Sequence, residues 1–382
     1  MIYLDNSATG WPRPDAVGAA MLAELGAPGN PGRGAYGPAL DSGRLLYATR
    51  ALAAELFGAA GPEQVVFTSG ATLGLNTAIA GLLASGDHAV TTDLEHNAVL
   101  RPLYAARERG VGLTIVRSRR GVVDPQDVAA ALRPNTALVV VTHGSNVLGT
   151  VQPVERLAEV CEGRGVPLLV DAAQTAGLLP LDLTRTPIAA LACSGHKSLL
   201  GPPGTGLLML RAGVRPRPLV FGGTGFDSHA PAMPADPPEA YEAGTQNLPG
   251  IAGLGAALGL ALASGAAGAA VSQERAGRLR TGLAAGGWFV QPDVDEGAWR
   301  LPIVAGTVLD RAGLPLDSAD VADALWERAG IAARGGFHCA PLAHETLGTA
   351  ATGLIRFSPG HLTTDAEIDA TVAAVRAIHE DS

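Results

Sequence analysis

At 382 residues the chain is long enough for one large core and a smaller second one. A formal net charge of −9 with 16% charged residues argues against a nucleic-acid partner, and no basic cluster is longer than Arg117-Ser118-Arg119-Arg120. Cys161, Cys193 and Cys339 are too widely spaced for a zinc site or a disulfide framework, and no basic segment leading into an apolar stretch opens the sequence, so a reducing cytoplasm without export is the expectation.

In chain order, apolar strand-like runs stand at 64–67, 88–91, 113–116, 137–141, 167–170 and 188–192. Ala-rich stretches long enough for helices mostly separate them, and this alternation predicts an α/β fold with a mainly parallel sheet covered on both faces. Runs at 206–210 and 219–221 are candidates for further strands, and the Pro-rich stretch 230–238 reads as a surface loop. Residues 251–271 carry no charge over 21 positions, about the length of a membrane span. Ala and Gly dominate them, however, and the polar Gln273-Glu274-Arg275 follows closely, which predicts a buried helix connecting two domains and no membrane contact. The expected division is a large domain over 13–250, a connecting helix over 251–274 and a smaller α+β domain over 275–382, with residues 1–12 packed near the last.

Lys197 is the only lysine among the 27 Lys plus Arg residues. Arginine stays protonated in proteins, whereas a buried lysine can lose its proton and condense with an aldehyde. Composition alone leaves open that Lys197 is a surface remnant of an arginine-rich sequence. Its neighbours favour chemistry. It lies in SGHKSLLGPPGTG (194–206), between an apolar run and a Gly/Pro-rich loop that no regular element can continue. Upstream, the apolar run 167–170 ends at Asp171, which is how a buried parallel strand delivers a carboxylate to its carboxyl end. A pyridoxal phosphate site requires this pair: the aspartate keeps the pyridine nitrogen protonated and the lysine holds the aldehyde.

Ten strings in order carry a resemblance over nearly the whole chain: YLDNSAT (3–9), GNPGRGAYG (29–37), TSGATLGLN (68–76), DLEHNAVLRPL (93–103), THGSNVLGT (142–150), VDAAQTAG (170–177), SGHK (194–197), YEAGTQN (241–247), RGGFHCAP (334–341) and GLIRFSPGHLT (353–363). Together they resemble the class V aminotransferase superfamily of fold-type I pyridoxal phosphate enzymes, and within it the cysteine desulfurase and selenocysteine lyase group. The resemblance implies a large domain with a mainly parallel, seven-stranded sheet flanked by helices, plus a smaller C-terminal domain. It also implies a homodimer acting on L-cysteine or a related amino acid, with a sulfur-acceptor protein downstream.

The resemblance assigns roles residue by residue. Gly70, Ala71 and Thr72, between a strand and a predicted helix, are placed to hold the cofactor phosphate at the helix N-terminus, although the segment also reads as a simple N-cap. His96 is similar to the family's ring-stacking histidine. Asn146 and Gln174 resemble neutral donors, the first toward substrate carboxylate and the second toward the ring's phenolic oxygen. Ser194 and His196 resemble phosphate ligands, and Thr245 resembles the residue that reaches the phosphate of the neighbouring subunit. Arg356 is similar to the arginine that holds the substrate carboxylate in a fork.

Cys339 sits in a loop-like setting after Gly335-Gly336-Phe337-His338, whereas Cys161 and Cys193 adjoin apolar segments and read as small core residues. By resemblance Cys339 attacks the substrate sulfur and leaves with it as a persulfide. The expected reaction is therefore L-cysteine to L-alanine with sulfur passed to Cys339. Selenocysteine lyase, C–S lyase, aminotransferase and non-catalytic scaffold readings stand as alternatives. Leu73 occupies a position where many relatives carry Glu, and Thr363 one where Asn is common; the second is expected to affect the substrate pocket near Arg356.

Overall fold

A computed structural model describes residues 1–32, 34–225, 229–264 and 267–382. The large sheet is built from β2 (Val65–Thr68), β3 (His88–Thr92), β4 (Gly112–Val116), β5 (Thr136–Thr142), β6 (Leu168–Asp171), β7 (Ala190–Ser194) and β8 (Gly206–Leu210). Its order is β2-β8-β7-β6-β5-β3-β4, and only β8 runs against its neighbours. The central strands are mostly apolar because both of their faces are covered. Along β5, Val139 and Val141 point into one core, shared with Leu46 and Phe57 of α2 (Gly37–Phe57) and Leu157 of α6 (Val154–Glu162). Leu138 and Val140 point into the other, with Leu75 and Ile79 of α3 (Ala71–Leu82) and Val99 and Leu103 of α4 (Asn97–Glu108). Period-two alternation splits each strand between the two faces.

A third core lies beneath a three-stranded antiparallel sheet of order β12-β10-β9, made of β9 (Phe289–Val290), β10 (Val304–Val308) and β12 (Ile355–Phe357). Helices α9 (Ser318–Ala329) and α11 (Asp365–Asp381) add Val321, Leu325, Ile368 and Val375 to this core, the latter opened by a capping box in which Thr364 and Glu367 satisfy each other's backbone N–H groups. The N-terminal strand β1 (Ile2–Tyr3) pairs in parallel with β11 (Ile331–Ala332), and Leu4 is fully buried in this third core.

Two sequence expectations fail. In place of one connecting helix over 251–274, the chain forms α7 (Leu248–Ser264) and α8 (Ala267–Ala284), turned by 80° from each other; residues 265–266 of the expected helix lie outside the described residues. No single helix among the described residues is long and apolar enough to cross a membrane. Instead α7 packs on α1 (Asp15–Leu25) and α2 with Leu254 and Leu258 fully buried. Residues 219–221 form no strand and are exposed. Pro216 and Pro218 withhold ladder donors just before them, and Gly222-Gly223 follows. The 206–210 run does form β8.

Candidate active site

The fold brings its chemistry to one sheet edge. The carboxyl ends of β2, β3, β5, β6 and β7 and the segments that leave them bring Ala71, His96, Asn146, Asp171 and Lys197 to a common cavity of about 230 Å³. This is where open parallel sheets bind ligands, because the loops converge there while the sheet stays rigid. Thr72, Gln174, Ser194, His196 and Arg356 line the same cavity, so ten of the expected residues meet.

Gly70 stands just behind the lining, as the residue before α3, with φ 150° and ψ 173° and no side-chain cap. The Ala71 N–H donates to Ser194 Oγ at 3.2 Å, which ties this loop to the end of β7. Behind it, a Cβ on Gly206 would stand 2.5 Å from Gly70 Cα, so only glycine lets β8 support the loop this closely. No acidic residue occupies the first turn of α3, which leaves the dipole and free N–H groups suited to an anion.

Lys197 is half-buried at the cavity, and desolvation pushes its amine down to about 8; Asp171 opposes that fall, and Arg356 and Arg334 add to it. A lysine in this range is a usable nucleophile near neutral pH. Asp171 is itself raised by burial, offset by the Ala173 N–H it accepts at 2.9 Å and by Lys197. His96 caps α4, its Nδ1 accepting from the Ala98 N–H at 3.0 Å, which leaves the ring's proton on Nε2. Burial first, then Lys197, lowers this imidazole to about 4, so it is neutral.

The thiol loop is clamped. His338 and Cys339 both hold left-handed backbone conformations, φ 50° and 59°, each costing about 1–2 kcal/mol for a residue with a side chain. Asn146 Nδ2 donates to the His338 carbonyl at 2.6 Å, and the Asn97 N–H to the Cys339 carbonyl at 2.7 Å. Cys339 does not line the cavity itself, but its sulfur lies 3.9 Å from Nη2 of Arg334, which does. It alone of the three cysteines is partly exposed; Cys161 and Cys193 are buried and their thiols are pushed up to about 12. They are core residues, as their apolar flanks predict.

Comparison with known proteins decides the family: the class-V aminotransferase model matches residues 2–371. The chain belongs to the class-V aminotransferase family. It is 37% identical over 393 residues to a cysteine desulfurase of Cereibacter sphaeroides, covering 96% of this chain and 93% of that one. It is 35% identical over 377 residues to a probable cysteine desulfurase of Methanothermobacter thermautotrophicus, covering 96% and 92%. Its structure is similar to that of a cysteine desulfurase from Thermococcus onnurineus, with a TM-score of 0.89 and 28% identity over 100% of this chain and 95% of that one.

Several of the expected residues are engaged by other parts of the chain or lie outside the cavity. Thr245 is exposed and lines a separate cavity with Arg50 and Glu242, away from Lys197. Gln174 Nε2 donates to the Ser7 carbonyl at 3.1 Å, and one Asn146 donor is occupied by His338. Arg356 is fully buried with Nη1 on the Asn146 carbonyl at 3.0 Å and Nη2 on Asp5 Oδ1 at 2.8 Å, so the fork is partly engaged and Nε is the buried donor without a partner. Thr363 does not line the cavity; its hydroxyl accepts the Gly360 N–H at 2.9 Å. Arg33, within the 29–37 string, lies outside the described residues.

The sequence reading missed Ser7, Ala8, Arg334 and His338 as cavity residues. It also missed Glu95, fully buried beside Asp171 and Asp93, whose carboxyl burial pushes up to about 8. A charged residue inside a string that carries the family resemblance was the available signal for Arg334 and Glu95.

Proposed function

We propose that the protein is a pyridoxal phosphate-dependent cysteine desulfurase that converts L-cysteine to L-alanine and takes the sulfur onto Cys339 as a persulfide. The observation that carries this reading is one lysine lining an arginine-bearing cavity, with one partly exposed cysteine held against Arg334 of the same cavity. The relatives named cysteine desulfurase, similar over nearly their full length, support it.

The residues present fit the cofactor. The Gly70–Thr72 backbone, Ser194 and His196 form a donor set suited to its phosphate, Asp171 to its ring nitrogen, Gln174 to its phenolic oxygen and His96 to its ring face. When bound, pyridoxal phosphate supplies the aldehyde that Lys197 captures and a conjugated ring that draws electrons from the substrate α-carbon. Lys197 Nζ then takes the substrate α-proton, a role its lowered basicity permits. Arg356, with Asn146, binds the substrate carboxylate. Cys339 Sγ attacks the substrate sulfur; the S–S bond forms as the C–S bond breaks, the electron pair staying with the carbon, which is protonated to become the methyl group of alanine.

The exposed position of Thr245 fits a homodimer in which this residue serves the partner's phosphate site. A sulfur acceptor protein then discharges Cys339, and three unpaired cysteines suit a reducing cytoplasm. Product analysis tests the reading: alanine and persulfide are expected in equal amounts, whereas pyruvate with ammonia would point to a C–S lyase and an exchanged amine to a transaminase.

A further inference from the structure

The N-terminal segment is fastened along the strand that carries Arg356. Past the β1–β11 pairing, Asp5 bridges Ser358, and the Asn6 and Ser7 N–H groups donate to the Ser358 carbonyl and hydroxyl at 3.2 and 2.9 Å. That register sets the Asp5 carboxylate against the guanidinium of Arg356, an ion pair of 2.8 Å made by one oxygen to Nη2 alone. The Asn146 carbonyl holds Nη1. Nε is left buried with no acceptor, on a residue that lines the reaction cavity. A guanidinium fixed at both terminal nitrogens cannot rotate, and an N–H buried without a partner calls for an acceptor from the ligand.

We propose that Asp5 is a positioning residue for substrate recognition: it pins Arg356 so that the Nε side of the guanidinium stays available to the carboxylate of the amino-acid substrate. The inference rests on the reading of Arg356 as the carboxylate-binding residue. Asp5 also compensates a buried cation that shares its cavity with Lys197 and Arg334. Without it, Arg356 is free to turn toward other acceptors, and the cost falls on ligands that carry a carboxylate.

The test uses cofactor-loaded enzyme and two probes that differ only in that group, L-serine and ethanolamine, with binding followed through the absorbance of the bound cofactor. Asp5→Asn is expected to weaken L-serine about tenfold or more and to leave ethanolamine within about twofold. Equal weakening of both probes would show a merely structural role and overturn the inference, as would L-serine binding that is unchanged or tighter. Should Asp5→Asn fail to fold, Asp5→Glu carries the test: its displaced carboxylate is expected to weaken L-serine selectively, and unchanged L-serine binding overturns the inference. Arg356→Lys separates the two readings. If it weakens L-serine while the Asp5 variants do not, the inference about Asp5 alone fails; if it leaves L-serine binding intact, the reading of Arg356 fails and takes the inference with it.

Discussion

The Asn97 N–H donates to the carbonyl of Cys339 at 2.7 Å, joining the thiol loop to the residue that follows His96. His96 and Cys339, the proposed ring-facing histidine and sulfur acceptor, are thus held by one short stretch of backbone at the start of α4. Strain at φ 50° and 59° in His338 and Cys339 is held in place by this bond and by Asn146.

Lys197 offers a direct chemical test of cofactor attachment. Borohydride reduction of the loaded enzyme should fix the cofactor's mass on the peptide containing Lys197, and Lys197→Ala should keep its fold and lose turnover. Because the amine titrates at about 8, its neutral fraction grows as pH rises toward that value and levels above it. Cofactor loading of apoenzyme should therefore quicken from pH 6 to about 8 and then flatten. A flat loading rate across that range would contradict the assignment.

Asp171, the proposed partner of the ring nitrogen, also raises the Lys197 value. Asp171→Asn should move the loading midpoint below that of the wild type and slow substrate α-proton exchange by orders of magnitude, with a smaller loss of cofactor affinity. Exchange at wild-type rate, measured by deuterium incorporation, would make Asp171 a strand-end residue only.

Gly206→Ala should weaken cofactor binding without touching any proposed ligand. The added methyl would stand 2.5 Å from Gly70 Cα and 2.6 Å from the Cys193 carbonyl, so the Gly70–Thr72 loop must shift from its place beside Ser194. Equilibrium titration with pyridoxal phosphate should show roughly tenfold or greater loss, about 1.4 kcal/mol. An unchanged affinity would remove this loop from the phosphate site.

His143 is buried against Thr175, and burial lowers its imidazole from 6.5 to about 4. Below pH 6.5 the unfolded chain binds a proton that the folded chain refuses. Stability contributed by the neutral ring is therefore complete above pH 6.5 and lost as pH falls toward 4, on the order of 2 kcal/mol by pH 5. Urea midpoints at pH 7 and 5 should differ less in His143→Gln than in the wild type. Equal differences would refute the assignment.

Much of the site was legible because it sits where local pattern is strongest. Lys197 stood out as the sole lysine, three residues past the end of β7, and Asp171 as the charge ending an apolar run, which is how a buried parallel strand presents a side chain at its carboxyl end. The missed features depend on distant parts of the chain. Asp5 meets Arg356 across 351 positions, and no window of sequence records that register. The turn between α7 and α8 was hidden for a different reason: an Ala/Gly run favours a helix locally but gives no sign of where packing on α1 and α2 ends it. Residues 219–221 were misread because three apolar side chains outweighed the flanking prolines.

The central claim is that sulfur passes to Cys339, and mass spectrometry after brief exposure of the loaded enzyme to L-cysteine without reductant tests it most directly. One extra sulfur should appear on the peptide holding Cys339 and none on those holding Cys161 or Cys193, while Cys339→Ala should still bind L-cysteine and yield neither persulfide nor alanine. Wild-type alanine production by Cys339→Ala, or sulfur found on a different cysteine, would contradict the account.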